Sequence, residues 1–146
     1  MIPKFPKFKA LELTDKEEIE AIVNKYPPYS DFDFEIMWAW DVHQSMKISM
    51  LNGNLVLLTR NIFTNEIVCS YLGNAKLDDT LYNIFDFLDT TGMEKPRISL
   101  VPEVSLKGLD FKKYFIEFDV NNCDYIYDLK QLSEYGGNQY MQKRGR

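Results

Sequence analysis

Three apolar runs separated by short polar turns constrain the fold of this sequence more than any other feature. Lys47–Leu51 and residues 55–60 flank the dipeptide Asn52-Gly53, and Ile67–Leu72 follows after a polar loop. Asparagine and glycine both tolerate the positive φ angles of a two-residue hairpin turn. The pattern therefore predicts a three-stranded antiparallel meander.

Helical spacing of apolar residues predicts two helices before this meander. The first begins after Thr14, which is followed three residues later by Glu17, as in a capping box, and it ends before Pro27. The second is capped by Ser30 or Asp31. A short strand over residues 7–13 precedes both helices.

A third helix is predicted directly after the meander. It begins at Asp78 or Asp79, where acidic side chains suit the helix dipole. Leu81, Ile84, Phe85 and Leu88 recur at the spacing of one buried face, and we expect Leu81, Phe85 and Leu88 to face the sheet.

The remaining chain is predicted to alternate strands with short helices. The strands cover 97–101, 115–120 and 124–127, a short helix or turn covers 104–109, and a helix covers 129–135. The predicted order is thus β-α-α-β-β-β-α-β-α-β-β-α. This order indicates an α+β or α/β fold with a mixed, mostly antiparallel sheet flanked by helices, in one domain over residues 1–136.

Composition excludes several classes of protein. A formal net charge of −5 argues against a general electrostatic hold on nucleic acid or on an anionic membrane. Cys69 and Cys123 lie far apart in apolar runs, so a pair of reduced, buried thiols is expected, and a single histidine gives no support for a metal site. No apolar run approaches the roughly 20 residues of a membrane span. We therefore expect a cytoplasmic protein without integral membrane contact.

Several short motifs carry a resemblance to a known family. They are Tyr29-Ser30-Asp31-Phe32, Trp40-Asp41, Leu100-Val101-Pro102-Glu103 and Asp124-Tyr125-Ile126-Tyr127, with Tyr140, Lys143 and Arg144 near the end of the chain. With the element order, they make nearly the whole chain similar to the N-terminal half of a bacterial family of unknown function. That family is related to the C-terminal domain of phosphatidylglycerol lysyltransferase, and its members resemble two acyltransferase-like (GNAT-like) domains in tandem.

The resemblance implies a GNAT-like domain that is not a complete catalyst by itself. Residues 137–146 would then be a basic tail or the start of a linker to a second GNAT-like domain. The expected partner is that second domain, in cis or in trans, or another copy of this chain. Aminoacyl transfer from a charged tRNA is a theme of the relatives, so the full-length form would meet aminoacyl-tRNA while this half shapes the cleft.

A GNAT enzyme holds the pyrophosphate of acyl-coenzyme A at the turn between its fourth strand and third helix. Backbone N–H groups and a helix N-terminus face the phosphates there. The equivalent stretch here offers Gly73, Asn74 and Lys76, but the helix opens with two carboxylates, which would repel a pyrophosphate. No cofactor is therefore expected. A self-sufficient acyl-coenzyme A-dependent N-acyltransferase and a non-catalytic interaction module remain the alternatives.

Two residues are weak candidates for catalysis. His43 is the sole histidine, and a general base would need a substrate group within hydrogen-bond reach. Glu103 follows a predicted strand end, although an acid there equally suits the first turn of a helix.

Aromatic residues stand out at two further places. Trp38 and Trp40 are two residues apart on a predicted helix and should point to nearly opposite sides, one into the core and one toward a neighbouring domain. Tyr125 and Tyr127 should share one face of a strand, where burial with a paired hydroxyl is the simplest expectation.

Overall fold

Four antiparallel strands in the order β1-β2-β3-β4 form the sheet of the computed structural model, which describes residues 1–133. The strands are β1 (Lys9–Ala10), β2 (Lys47–Leu51), β3 (Asn54–Arg60) and β4 (Ile67–Leu72). The helices are α1 (Lys16–Val23), α2 (Phe34–Trp40), α3 (Leu77–Asp89) and α4 (Leu129–Ser133). Short 3-10 helices occupy Leu13–Asp15, Ser30–Phe32, Glu103–Leu106 and Val120–Asn122. The predicted α+β class is confirmed.

The predicted meander is present with the expected turn. Asn52 and Gly53 have φ angles of 56° and 89°, and Leu51 pairs with Asn54 across the turn. Positive φ at both central positions is what a two-residue hairpin turn of this type requires. Turn chemistry therefore fixes the register between β2 and β3.

Each face of the sheet carries its own hydrophobic core, because alternate residues of β3 point to opposite sides. On one face, Leu55 and Leu57 pack with residues from α1 and α2, including Ile19 and Met37. On the other face, Val56 packs in a cluster with a further set of buried residues. That set comprises Cys69, Tyr71, Leu77, Leu81, Ile84 and Leu88.

The buried face of α3 carries the predicted residues, but Phe85 lies at its margin rather than at its centre. Leu81 and Leu88 are buried as expected, but Ile84 is fully buried while Phe85 is only half-buried. Phe85 packs at the margin of the cluster. The helix therefore presents the isoleucine, rather than the phenylalanine, to the centre of the sheet.

The N-terminus of α1 differs from the predicted capping box at Thr14. Thr14 lies inside the preceding 3-10 helix, and Asp15 is the N-cap. The Asp15 carboxylate is buried, accepts the Glu12 N–H at 3.0 Å and binds Lys9 Nζ at 2.8 Å. The side-chain hydrogen bonds that Lys9 donates to Asp15 and to Glu12 raise the pKa of Lys9, with the bond to Asp15 contributing most. An ion pair to β1 thus fixes the start of this helix.

The second half of the chain departs most from the prediction. The segments 97–101, 115–120 and 124–127 are not strands, and the predicted helix 104–109 is the 3-10 helix Glu103–Leu106. Residues 97–101 do lie beside β4, where Ser99 N–H donates to Cys69 O at 2.8 Å and Ser70 Oγ donates to Leu100 O at 2.7 Å. These contacts do not continue into a ladder, so the sheet of the described residues ends at β4.

Candidate functional site

A groove of about 510 Å³ lies beside the first two helices. Its floor and one wall come from the end of α1, the Pro27-Pro28 turn, the 3-10 helix Ser30–Phe32 and Leu72 of β4. Residues 124–127 form the facing wall. The groove therefore brings together two motifs that carry the family resemblance, although they lie far apart in sequence. We call it the motif groove.

Asp124 joins the two walls of the motif groove. Its Oδ2 accepts the backbone N–H of Ser30 at 3.1 Å, and its Oδ1 accepts the Ser30 hydroxyl at 2.5 Å. The two residues are 94 positions apart. Hydrogen bonds to a carboxylate are stronger than bonds between neutral groups. This pair holds the extended segment 124–127 against the 3-10 helix.

The rim of the motif groove is acidic. Asp33 is the N-cap of α2, and its Oδ1 accepts the Ile36 N–H at 3.0 Å. Partial loss of hydration raises the pKa of the Asp31 carboxyl, and the negative charge of Asp124 raises it further. The Asp124 carboxylate is therefore close enough to disfavour the ionisation of Asp31.

The aromatic residues of Trp40-Asp41 and of residues 124–127 are exposed, whereas Phe32 is buried and Tyr29 is half-buried. Tyr125 is 87% exposed and Tyr127 54%, so the expected burial of these tyrosines in a strand is wrong. Trp40 is 65% exposed, and Trp38 is partly exposed while it stacks on Phe34 at 6.4 Å between ring centroids. The expectation that one tryptophan is a core residue is therefore also wrong. The motifs place aromatic surface in contact with solvent.

The turn between β4 and α3 uses its backbone donors internally. Gly73 N–H donates to Ser105 Oγ at 3.0 Å, and Ala75 N–H donates to Asn54 Oδ1 at 3.0 Å. Asn74 is exposed, and Lys76 has a left-handed φ of 47° directly before the helix. Gly73 and Ala75 therefore direct their N–H groups at side chains of this chain. A pyrophosphate would have to displace those contacts.

Sequence reasoning missed the residues that build this turn. Asn54 is fully buried, and its Nδ2 donates to Ala75 O at 2.8 Å and to Thr80 Oγ1 at 3.0 Å. Gly73 has a φ of 123°, and a Cβ there would lie 2.4 Å from Asn54 Oδ1. The signal that could have indicated this arrangement is an asparagine at the start of β3 together with a glycine directly after β4, the strand that pairs with β3.

The two weak catalytic candidates lie apart from the motif groove. His43 is exposed and lines a separate, smaller cavity with Ser45 and Arg60. Glu103 is exposed at the first position of the 3-10 helix Glu103–Leu106 and lines neither of these cavities. The structure thus does not bring His43 and Glu103 together in one cavity. The remaining motif residues, Tyr140, Lys143 and Arg144, lie outside the described residues.

Comparisons with known proteins do not assign a family. No family model, no curated protein and no solved structure matches the chain. Among residues 1–133, no helix combines the length and the apolar character needed to cross a bilayer. The same part of the chain holds no group of three or more side chains suited to bind a metal ion. A functional interpretation therefore depends on the motif groove, the exposed aromatic residues and the β4–α3 turn.

Proposed function

We propose that this chain is a GNAT-like domain similar to the N-terminal half of the phosphatidylglycerol lysyltransferase-like family, and that it functions by docking a second GNAT-like domain. The second domain, in the same polypeptide or in another, would carry the acceptor chemistry. This half would shape the cleft in which an aminoacyl group is transferred from a charged tRNA. On this proposal the chain has no acyl-coenzyme A site of its own.

The observation that carries the proposal is the pair of hydrogen bonds between Asp124 and Ser30. The resemblance depends on short motifs, and chance matches would have no reason to meet in the fold. Two of these motifs instead form the facing walls of one groove. Their contact supports a common structural role for both segments.

The architecture adds a second line of support. From β1 to α3 the order of elements is the one expected of a GNAT-like domain, and residues 97–101 lie beside β4 where a further strand is expected. The internal hydrogen bonds of Gly73 and Ala75 favour a structural turn over a pyrophosphate site. Both observations favour a domain that has the acyltransferase fold but does not hold the pyrophosphate of acyl-coenzyme A at the usual turn.

The exposed aromatic residues favour docking as the role of this half. Trp40, Tyr125 and Ile126 are exposed, and the last two line the motif groove. Large exposed apolar patches on a domain commonly mark an interaction surface. Tryptophan and tyrosine are also the residues that most often dominate binding energy at interfaces. A partner domain that covers this surface would remove these side chains from water.

Binding to a separately produced second GNAT-like domain of a tandem relative tests the proposal. We expect a complex by calorimetry and by size-exclusion chromatography with light scattering. Tyr125→Ala, which changes a side chain of the motif groove, should weaken it at least tenfold, or about 1.4 kcal/mol. Tyr82→Ala is the matched control, because Tyr82 is 70% exposed on α3 and away from the motif groove. Equal affinity for all variants, or no complex at all, would contradict docking.

A titration with acetyl-coenzyme A separates this proposal from a self-sufficient acyltransferase. We expect a dissociation constant no tighter than about 1 mM, which corresponds to about −4 kcal/mol. The reason is that Gly73 and Ala75 already use their N–H groups within the chain. Micromolar binding that is lost in Lys76→Gln would instead establish the alternative.

A further inference from the structure

A second cavity lies at the end of the β3–β4 hairpin, on residues that the docking proposal does not use. Its volume is about 290 Å³, and it is lined by His43, Ser45, Arg60, Asn61, Ile62 and Asn65. Five of these six side chains can donate a hydrogen bond, and none is a carboxylate. We propose that this cavity binds a small oxyanion, namely a phosphate or carboxylate group.

Arg60 supplies the positive charge of the cavity. Its Nη1 donates to Asn65 O at 2.8 Å, which fixes the guanidinium against the hairpin loop. A guanidinium carries five N–H donors in a planar fork, so donors remain for a ligand. Within residues 1–133, Arg60 makes no ion pair. A planar, unpaired guanidinium is well suited to bind two oxygens of one anion.

The loop that closes the cavity is held in place by its own hydrogen bonds. Asn61 Oδ1 accepts the N–H groups of Phe63 and Thr64 at 2.8 and 3.0 Å, and Asn65 N–H donates to Asn61 O at 2.8 Å. Asn65 adopts a left-handed conformation with φ of 59°. A wall that is already ordered loses little conformational entropy when a ligand binds.

The carboxylates around the cavity are already engaged. Asp41 Oδ1 accepts the backbone N–H groups of Ser45 and Met46 at 2.7 and 2.9 Å. Glu66, which follows the loop, forms an ion pair with Arg97 at 3.1 Å. These N–H groups and the Arg97 guanidinium offset the negative charge of Asp41 and Glu66, so either carboxylate repels a bound anion less strongly.

The Ser45 hydroxyl is the second fixed polar group of the cavity. It lies 3.3 Å from Thr59 Oγ1 on β3, so the hydroxyl is positioned by the sheet. A serine hydroxyl both donates and accepts, and with Thr59 as its donor it can direct its own proton to an anion. The imidazole of His43 adds a further N–H donor.

The size of the cavity indicates a small ligand. Pockets for drug-sized ligands measure about 300–1,000 Å³. At about 290 Å³ this cavity lies at the lower limit, so it suits a single phosphate or carboxylate group better than a whole nucleotide. The group could belong to a free metabolite or to a lipid headgroup, since both present the same oxygens.

The test is a titration of the labelled chain with inorganic phosphate and with acetate at constant ionic strength, followed by amide chemical shifts. We expect saturable shifts of the amides of residues 43–45 and 60–65, with dissociation constants of about 1–10 mM. Arg60→Gln should weaken binding at least tenfold, and Arg60→Lys should give an intermediate loss because it keeps the charge without the fork.

Lys107→Gln is the matched control, because it removes one positive charge from another exposed position. It should leave both titrations unchanged. Linear shifts without saturation, or an equal effect of Arg60→Gln and Lys107→Gln, would overturn the proposal and indicate non-specific screening.

Vesicles with and without an anionic phospholipid identify the source of the oxyanion. Vesicle binding that requires the anionic lipid and disappears in Arg60→Gln would identify a headgroup. Saturable binding of phosphate or acetate without vesicle binding would identify a soluble ligand. A failure of domain docking would leave this result unaffected, because the cavity shares no residue with the motif groove.

Discussion

Replacing Asn54 with alanine would test whether one buried amide builds the turn between β4 and α3. The side chain donates to Ala75 O at 2.8 Å and to Thr80 Oγ1 at 3.0 Å, and it accepts from Ala75 N–H at 3.0 Å. Alanine removes all three bonds at once. It also leaves a small void, because Asn54 is fully buried.

The expected loss of stability depends on whether each former partner of Asn54 can form another hydrogen bond. A typical hydrogen bond contributes about 1 kcal/mol net, so three bonds give about 3 kcal/mol. Ala75 is exposed, so water can replace part of this loss at its N–H and C=O. Thr80 Oγ1 keeps its bond to Ala75 O at 3.1 Å and accepts from Asn52 Nδ2 at 3.1 Å. We therefore expect Asn54→Ala to lower the free energy of unfolding by about 2–3 kcal/mol.

Urea denaturation followed by tryptophan fluorescence and circular dichroism would measure this loss. Asn74→Ala is the control, since Asn74 is exposed in the same turn and should change the stability by less than about 0.5 kcal/mol. Amide hydrogen exchange at Ala75 should accelerate in the Asn54 variant because its N–H loses its acceptor. A loss below about 1 kcal/mol, with unchanged exchange at Ala75, would refute the argument that this side chain organises the turn.

Three further predictions follow from burial in the same half of the molecule. Gly73→Ala should lower the midpoint of urea unfolding, because its Cβ would lie 2.4 Å from the side-chain oxygen of the buried asparagine and φ is 123°; an unchanged midpoint would show that the turn relaxes freely. Ile84→Ala should cost about 2–5 kcal/mol in a denaturant melt, while Tyr82→Ala on the exposed face of α3 should cost under about 0.5 kcal/mol, and similar losses would mean that the buried face is misassigned. Cys123 is exposed, contrary to the expected burial of both thiols, whereas burial raises the pKa of the Cys69 thiol to about 12. At pH 8 a thiol reagent should therefore label Cys123 at once and Cys69 only after unfolding, and rapid labelling of both thiols would contradict the packing of β4.

The meander was predictable because every signal for it is local. Asn52-Gly53 determines its turn, and the apolar runs on each side are long enough to be strands without reference to the rest of the chain. Helix α3 was equally predictable, because the spacing of its apolar residues is regular over three turns. Which of Ile84 and Phe85 is the more deeply buried could not be predicted, since both residues fit the same buried face.

The start of α1 was mispredicted for a different reason. Thr14 and Glu17 fit a capping pattern, but the carboxylate of Asp15 instead binds Lys9 on β1. A local capping hydrogen bond competes with an ion pair to a residue in another element, and the sequence does not show which of the two determines where the helix begins. The same limit applies to Asn54, whose partners in the turn are more than 20 residues away.

The candidate site was predicted only as separate pieces. Tyr125 and Ser30 were singled out by resemblance, yet no sequence pattern indicated that Asp124 would join their two segments. Arg60 was not singled out at all, since one arginine at the end of a strand is a common surface residue. His43 was singled out for catalysis, and the structure places it in the cavity with that arginine instead.

The segments 115–120 and 124–127 were predicted as strands, but the described residues give them no neighbouring strand to pair with. Both segments are rich in the aromatic and β-branched residues typical of strands, but a strand forms only where a neighbour completes its backbone hydrogen bonds. Between residues 110 and 130 every side chain except Tyr114 is exposed. A few contacts, such as Lys113 to Asp78 and Asp124 to Ser30, connect this stretch to the preceding part of the chain. If the proposed second domain binds there, these segments gain both a ladder and an apolar cover. Docking should therefore slow amide exchange over residues 115–127 more than in the meander, which already has its full set of partners.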